Sequence, residues 1–183
     1  MSYYYAYGSN LDLQQMKRRC PHASEVGTGM VYGWALRFVG WSSGWGGSVA
    51  DIERCHGEVV AGVVYELPFA ELTDRMDRFE GCPTCYQRIR INVRLASGRA
   101  LRCWTYVKVG EPARGVPSAE YFTAIWYGYE SRGLDVQLLI DAVGLERIQV
   151  AVEPEQHDWR EYDAELDGIP DWEPESAQRA LFR

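Results

Sequence analysis

The segment Gly57-Glu58-Val59-Val60-Ala61-Gly62-Val63-Val64-Tyr65-Glu66-Leu67 narrows the choice of fold more than any other in this chain. It is Val/Ala-rich enough to be a strand buried on both faces, and such a strand needs a sheet covered from two sides. Further β-favouring segments surround it. Residues 3 to 7 are mostly tyrosine, Met30 to Val39 reads as a strand, and Gly46-Gly47-Ser48-Val49-Ala50-Asp51-Ile52 predicts a short strand after a Trp/Ser/Gly loop. Tyr86 to Leu95 and Ala100 to Val109 alternate about Ser97-Gly98 and predict a hairpin.

Helices fall between and after these strands. Leu11, Leu13 and Met16 punctuate polar residues ahead of Pro21, which predicts a short helix capped by Asn10. Pro68 opens a second, with Phe69, Leu72, Met76 and Phe79 on one face, Glu80 at its C-terminal end and Gly81 as its stop. Ser118 caps a third that carries Tyr121, Ile125 and Tyr129 on one side, and a fourth runs from about 135 to 143. A strand-rich first half with interspersed helices predicts an α+β domain on a curved or closed sheet.

With 183 residues the chain has the size of one domain. Ten of its 26 Asp/Glu but only one of its 19 Lys/Arg, Arg160, fall in residues 153–175. We therefore expect a domain over 1–152 and an acidic extension over 153–183, packed on or near it through Trp159, Tyr162, Leu166, Ile169 and Trp172. The body is close to neutral and carries no basic stripe, which argues against nucleic acid as a partner. No apolar run approaches the ~20 residues of a membrane span, and nothing at the N-terminus resembles an export signal. The expected location is the cytoplasm, where Cys20, Cys55, Cys82, Cys85 and Cys103 would remain thiols.

The candidate chemistry starts at Gly8-Ser9-Asn10. A strand-to-helix turn of these residues presents backbone N–H groups to a carboxylate or a developing oxyanion. Alone, such a turn is usually a helix cap. It gains meaning from its company: Tyr5-Ala6-Tyr7-Gly8-Ser9-Asn10-Leu11, the Gly46-to-Ile52 strand, Gly57 to Tyr65, Asp77-Arg78-Phe79-Glu80-Gly81 with Tyr86 close behind, then Pro117-Ser118-Ala119-Glu120-Tyr121 and Gly133-Leu134. In this order the motifs resemble the γ-glutamyl cyclotransferase-like superfamily (AIG2-like), over roughly residues 3–150.

The resemblance implies a small mixed β-barrel flanked by helices, with a cavity at one barrel end. It implies that Tyr7, Gly8, Ser9, Asn10 and Leu11 bind the substrate's glutamyl end, that Glu80 is the acid/base, and that Tyr121 hydrogen-bonds in the pocket. Asp12 completes the matched turn. The implied reaction is attack of the substrate's own α-amine on its γ-carbonyl, releasing 5-oxoproline. A base is required because that amine is mostly ammonium at neutral pH. Since the nucleophile belongs to the substrate, neither metal nor cofactor is called for. The partner is a small γ-glutamyl molecule, with a homodimer left open and no membrane partner. A departure from the family pattern is that Asp51 and Glu53 flank Ile52; another is Cys82-Pro83-Thr84-Cys85 directly after Gly81.

Other readings are weaker. Cys82 and Cys85 have ligand-pair spacing, yet Cys55-His56 are adjacent and make a poor second half of a zinc site. His22, His56 and His157 lie in turn-like contexts without metal spacing. Trp41 and Trp45, on a Gly/Ser-rich loop, are candidate substrate contacts. A non-catalytic module that only binds a γ-glutamyl-type ligand is the alternative function, and the carboxylate of Glu80 speaks for turnover instead.

Overall fold

The computed structural model describes residues 1–144. The acidic extension and His157 lie outside the described residues. Five strands form a closed barrel: β1 (Ser2–Ala6), β2 (Ser24–Ser42), β3 (Gly47–Leu67), β4 (Tyr86–Leu95) and β5 (Ala100–Lys108), in the order β1-β3-β2-β4-β5. Neighbours run antiparallel except where β1 meets β5 in parallel at Tyr4 and Trp104, which makes the barrel mixed. The flanking helices are α1 (Leu13–Arg19), α2 (Asp77–Phe79), α3 (Ala119–Glu130) and α4 (Val136–Val143). None of the described helices is long and apolar enough to cross a membrane.

The Val/Ala-rich segment is the barrel's central stave. From Val60 to Tyr65 every residue is buried, because β1 and β2 pair on either edge while the barrel interior and the helices cover the two faces. Gly62 is required there: a Cβ would lie 2.3 Å from the Ala6 carbonyl oxygen and 2.7 Å from the Tyr5 ring. Tyr5, itself fully buried, reaches across to donate its hydroxyl to the Val60 carbonyl at 2.8 Å.

Three expectations are revised. The segments read as separate strands at 46–52 and 57–67 are one strand of 21 residues, paired along its length with a β2 of 19 residues. Between the pairs Tyr32–Val59 and Trp34–Arg54 the register shifts, and Gly33 and Gly57 take positive φ angles of 75° and 88°. The glycine that reads as a turn signal is therefore a bulge in a continuing ladder. Second, the helix after Pro68 widens into a π-helical stretch, Glu71–Met76, before α2. The wider turn rotates the apolar face: Leu72 and Met76 are fully buried, but Phe69 is exposed. Third, α1 is capped by Asp12, whose carboxylate accepts the Gln15 N–H at 2.6 Å, rather than by Asn10.

Candidate active site

The antiparallel path brings the C-terminal ends of β1, β2 and β5 and the N-terminal ends of β3 and β4 to the same end of the barrel. A cavity of about 90 Å³ opens there. Its walls include Tyr7, Gly8, Ser9 and Asn10 from the first turn, Glu80 from the end of α2, and Tyr121 from α3. Leu11 and Asp12 do not line it. Leu11 is fully buried against Gly128 of α3, where an added Cβ would come within 2.6 Å of its own Cβ, and Asp12 is spent as the α1 cap.

Asn10 is the hub. Its amide nitrogen donates to the Tyr4 hydroxyl at 2.9 Å and to Glu80 Oε1 at 3.2 Å. Its amide oxygen accepts from Gln15 Nε2 at 2.9 Å and Arg19 Nη1 at 3.1 Å. Gln15 Nε2 also donates to Ser9 Oγ at 3.0 Å, so one buried side chain holds two consecutive residues of the turn. The turn is further closed by Leu11 N–H to the Gly8 carbonyl at 2.9 Å.

Glu80 reaches the cavity from the end of α2. Its N–H bonds the Met76 carbonyl at 2.9 Å, and Gly81 then turns the chain with a φ of 58°. Withdrawal from water raises its carboxyl pKa above the ordinary value, while the charges of Arg19 and Lys108 and the Asn10 hydrogen bond pull it back down. The result is a carboxyl whose protonation sits closer to neutrality than that of a solvated glutamate, as suits proton transfer.

Tyr121 is fixed by the Ser118 cap, whose Oγ accepts its N–H at 3.1 Å. Its hydroxyl accepts the Ala50 N–H at 3.2 Å, and its ring lies 4.7 Å from that of Trp45. The absence of a side chain at Gly8 matters here, since a Cβ would stand 3.3 Å from the Tyr121 hydroxyl. Tyr7 donates to the Tyr106 carbonyl at 2.7 Å, and Tyr106 donates to Asp77 at 2.6 Å. Both flagged tryptophans line the cavity: Trp45 is buried, and Trp41 is 54% exposed at the rim.

Several cavity residues escape sequence reasoning: Tyr4, Arg19, Phe79, Cys85, Tyr106 and Lys108. Gln15 and Arg19 stand four apart on α1, so helical spacing counted from the turn would have placed them on one face. Tyr106 and Lys108 stand two apart on β5, the spacing of one strand face. The two acidic residues that depart from the family pattern at Ile52 have structural work. Asp51 accepts the Lys108 backbone N–H at 2.9 Å, tying β3 to β5, and Glu53 pairs with Arg37 at 2.8 Å and Arg114 at 2.7 Å. All five cysteines are free thiols; Cys85 is buried in the cavity wall. Among the described residues no group of three or more His, Cys, Asp or Glu is gathered as a metal site would need.

A barrel that closes one end with this turn and faces it with a half-buried glutamate belongs to a known class. The family model for gamma-glutamyl cyclotransferase, AIG2-like, matches residues 4–123, and the chain belongs to that family. It is 29% identical over 140 residues to a human protein named gamma-glutamylcyclotransferase, covering 73% of each chain. It is 28% identical over 139 residues to a bovine protein of the same name, again covering 73% of each. A solved structure titled gamma-glutamyl cyclotransferase shares the fold at a TM-score of 0.74 and 24% identity, with 91% of this chain and 98% of that one covered.

Proposed function

We propose that this protein is a γ-glutamyl cyclotransferase that releases 5-oxoproline from a γ-glutamyl amide. The observation that carries the reading is the 3.2 Å contact between Glu80 and Asn10, which joins a desolvated carboxyl to the anion-holding turn across one cavity. In this reading the glutamyl α-carboxylate lies against the turn, near Ser9, Asn10 and the positive charge of Arg19. Glu80 takes a proton from the α-ammonium, and the freed amine attacks the γ-carbonyl to close a five-membered lactam. Closing the ring within one bound molecule removes the entropic cost of a second reactant.

The tetrahedral oxyanion is stabilised by backbone N–H groups near Gly8 and Ser9, and Glu80 returns the proton to the departing amine. Tyr7 and Tyr121 shape the wall around the glutamyl chain. The products are 5-oxoproline and a free amine or amino acid.

Product identity tests this directly. Wild-type protein incubated with a panel of γ-glutamyl compounds in ¹⁸O-water gives unlabelled 5-oxoproline. Labelled glutamate as the product would show hydrolysis and overturn the cyclisation.

A further inference from the structure

One ridge of the segment that leads into Glu80 grips the end of α1. Glu71, Arg75 and Phe79 follow at four-residue intervals along the π-helical stretch and α2, and each meets the chain between Arg18 and His22. The Glu71 carboxylate accepts the His22 N–H at 3.3 Å and contacts His22 Nδ1. Arg75 donates from Nε to the Arg19 carbonyl at 2.6 Å and from Nη2 to the Arg18 carbonyl at 3.1 Å. The centre of the Phe79 ring lies 4.9 Å from the guanidinium carbon of Arg19. A helix leaves its last carbonyls without intrahelical donors. Arg75 serves two of those on α1 with the rigid fork of one guanidinium.

Arg19 in turn reaches the reacting end of the cavity. Its Nη1 donates to Asn10 Oδ1 at 3.1 Å, and the same amide donates through Nδ2 to Glu80 Oε1 at 3.2 Å. The chain of contacts Arg75, Arg19, Asn10, Glu80 closes on itself, because Glu80 directly follows the helical segment that carries Arg75. The charges that bear most on Glu80 are those of Arg19 on α1, Lys108 on β5 and Asp77 on α2, with Arg19 foremost. The phenols of Tyr4, Tyr7 and Tyr106 and the thiols of Cys20 and Cys85 also lie near it, and burial pushes their pKa values up, which keeps them neutral.

Resting on the cyclotransferase reading, we propose that Arg75 is a positioning residue: by fixing the end of α1 it holds Arg19 against Asn10, and so sets how strongly a positive charge bears on the Glu80 carboxylate. Arg75 is itself exposed and is not among the cavity-lining residues, so its effect on the reaction runs through Arg19. Without the fork the end of α1 loosens and the Arg19 charge averages over longer distances from Glu80. The carboxyl then keeps its proton to higher pH. The base form that takes the proton of the α-ammonium is correspondingly scarcer at a given pH.

The Glu80 carboxyl can be read directly. Glutamate labelled with ¹³C at the side-chain carboxyl is incorporated into the full-length chain, the Glu80 resonance is identified by its absence from Glu80→Gln, and its titration is followed by NMR. Arg75→Gln moves the midpoint upward, as Arg19→Met does, and in the Arg19→Met background it moves the midpoint no further. Arg75→Lys keeps the charge without the fork and shifts the midpoint the same way by less; it takes the place of Arg75→Gln in both comparisons if that variant does not fold. A midpoint that Arg75→Gln leaves in place overturns the assignment. So does an equal shift with Arg19 already removed, since the bare charge of Arg75 would then act without Arg19. In turnover, the acid limb of kcat/KM moves with the NMR midpoint, and kcat/KM on that limb falls by roughly twofold to thirtyfold, the scale of coupling through a hydrogen-bonded network. No 5-oxoproline from the wild type would overturn the cyclotransferase reading and leave the NMR titration to decide the role of Arg75.

Discussion

At the scale of single residues, Asn10 and Glu80 depend on the neighbours that hold them, Gln15 and Arg19 above all. Gln15 is fully buried and holds both Ser9 and Asn10. Gln15→Leu takes this donor from Ser9 Oγ and leaves Asn10 Oδ1 with Arg19 alone, which costs about 1–3 kcal/mol. The expected signature is a lower Tm together with a fall in kcat/KM, and full activity at unchanged Tm would contradict it. For Glu80, burial raises the pKa and Arg19 gives the largest opposing pull. The acid limb of the pH profile of kcat/KM should therefore lie above the ordinary carboxylate range, and Arg19→Met should move it higher still. The same shift bears on stability. A carboxyl whose folded pKa exceeds its unfolded value stabilises the fold below the unfolded pKa and loses that contribution as pH rises through the folded one. Glu80→Gln should thus raise Tm relative to wild type near pH 7 and not near pH 4, as melting curves at the two pH values would show. Tyr7, Gly8, Ser9, Asn10, Glu80 and Tyr121 were all legible because each stands inside a recognisable motif. Arg19 and Lys108 were not, because a basic residue at the end of a helix or strand ordinarily points to water.

At the scale of elements, the site is delivered by caps, close approaches and a bulge. The Ser118 hydroxyl caps α3 directly before Tyr121. Ser118→Ala should cost about 1 kcal/mol by denaturant titration. It should also loosen the Tyr121 contact with Ala50, seen as a rise in KM. Gly62→Ala forces a Cβ against the Ala6 carbonyl where β1 meets β3, and overpacking of this kind costs about 1–3 kcal/mol. A Gly62→Ala chain with wild-type stability would contradict the tight β1–β3 seam. Strand identity was readable from apolar runs and the Ser97-Gly98 hairpin. Strand length was not, since Gly33 and Gly57 signal a turn locally, and only pairing with a partner strand reveals a bulge. The rotation that exposes Phe69 was equally hidden, because a π-turn and an α-turn draw on the same apolar spacing.

At the scale of the molecule, barrel closure is what turns scattered motifs into a site. The turn at residues 8–10, Glu80 and Tyr121 are far apart in sequence, and they meet because five strand ends converge on one barrel mouth. Among the described residues, 1–144, the barrel is closed and the cavity has walls on all the elements named above. A chain ending at residue 152 should accordingly unfold cooperatively and retain 5-oxoproline release; loss of both would place an essential element in the acidic extension. The measurement that bears most directly on the whole account is release of 5-oxoproline from γ-glutamyl compounds by wild-type and Glu80→Gln proteins, compared at equal folded concentration. The account predicts release by the wild type and a loss of at least about 10²-fold in kcat for the variant, the scale of a general acid/base contribution, with the circular dichroism spectrum unchanged. Wild-type rates in a folded Glu80→Gln protein would contradict it.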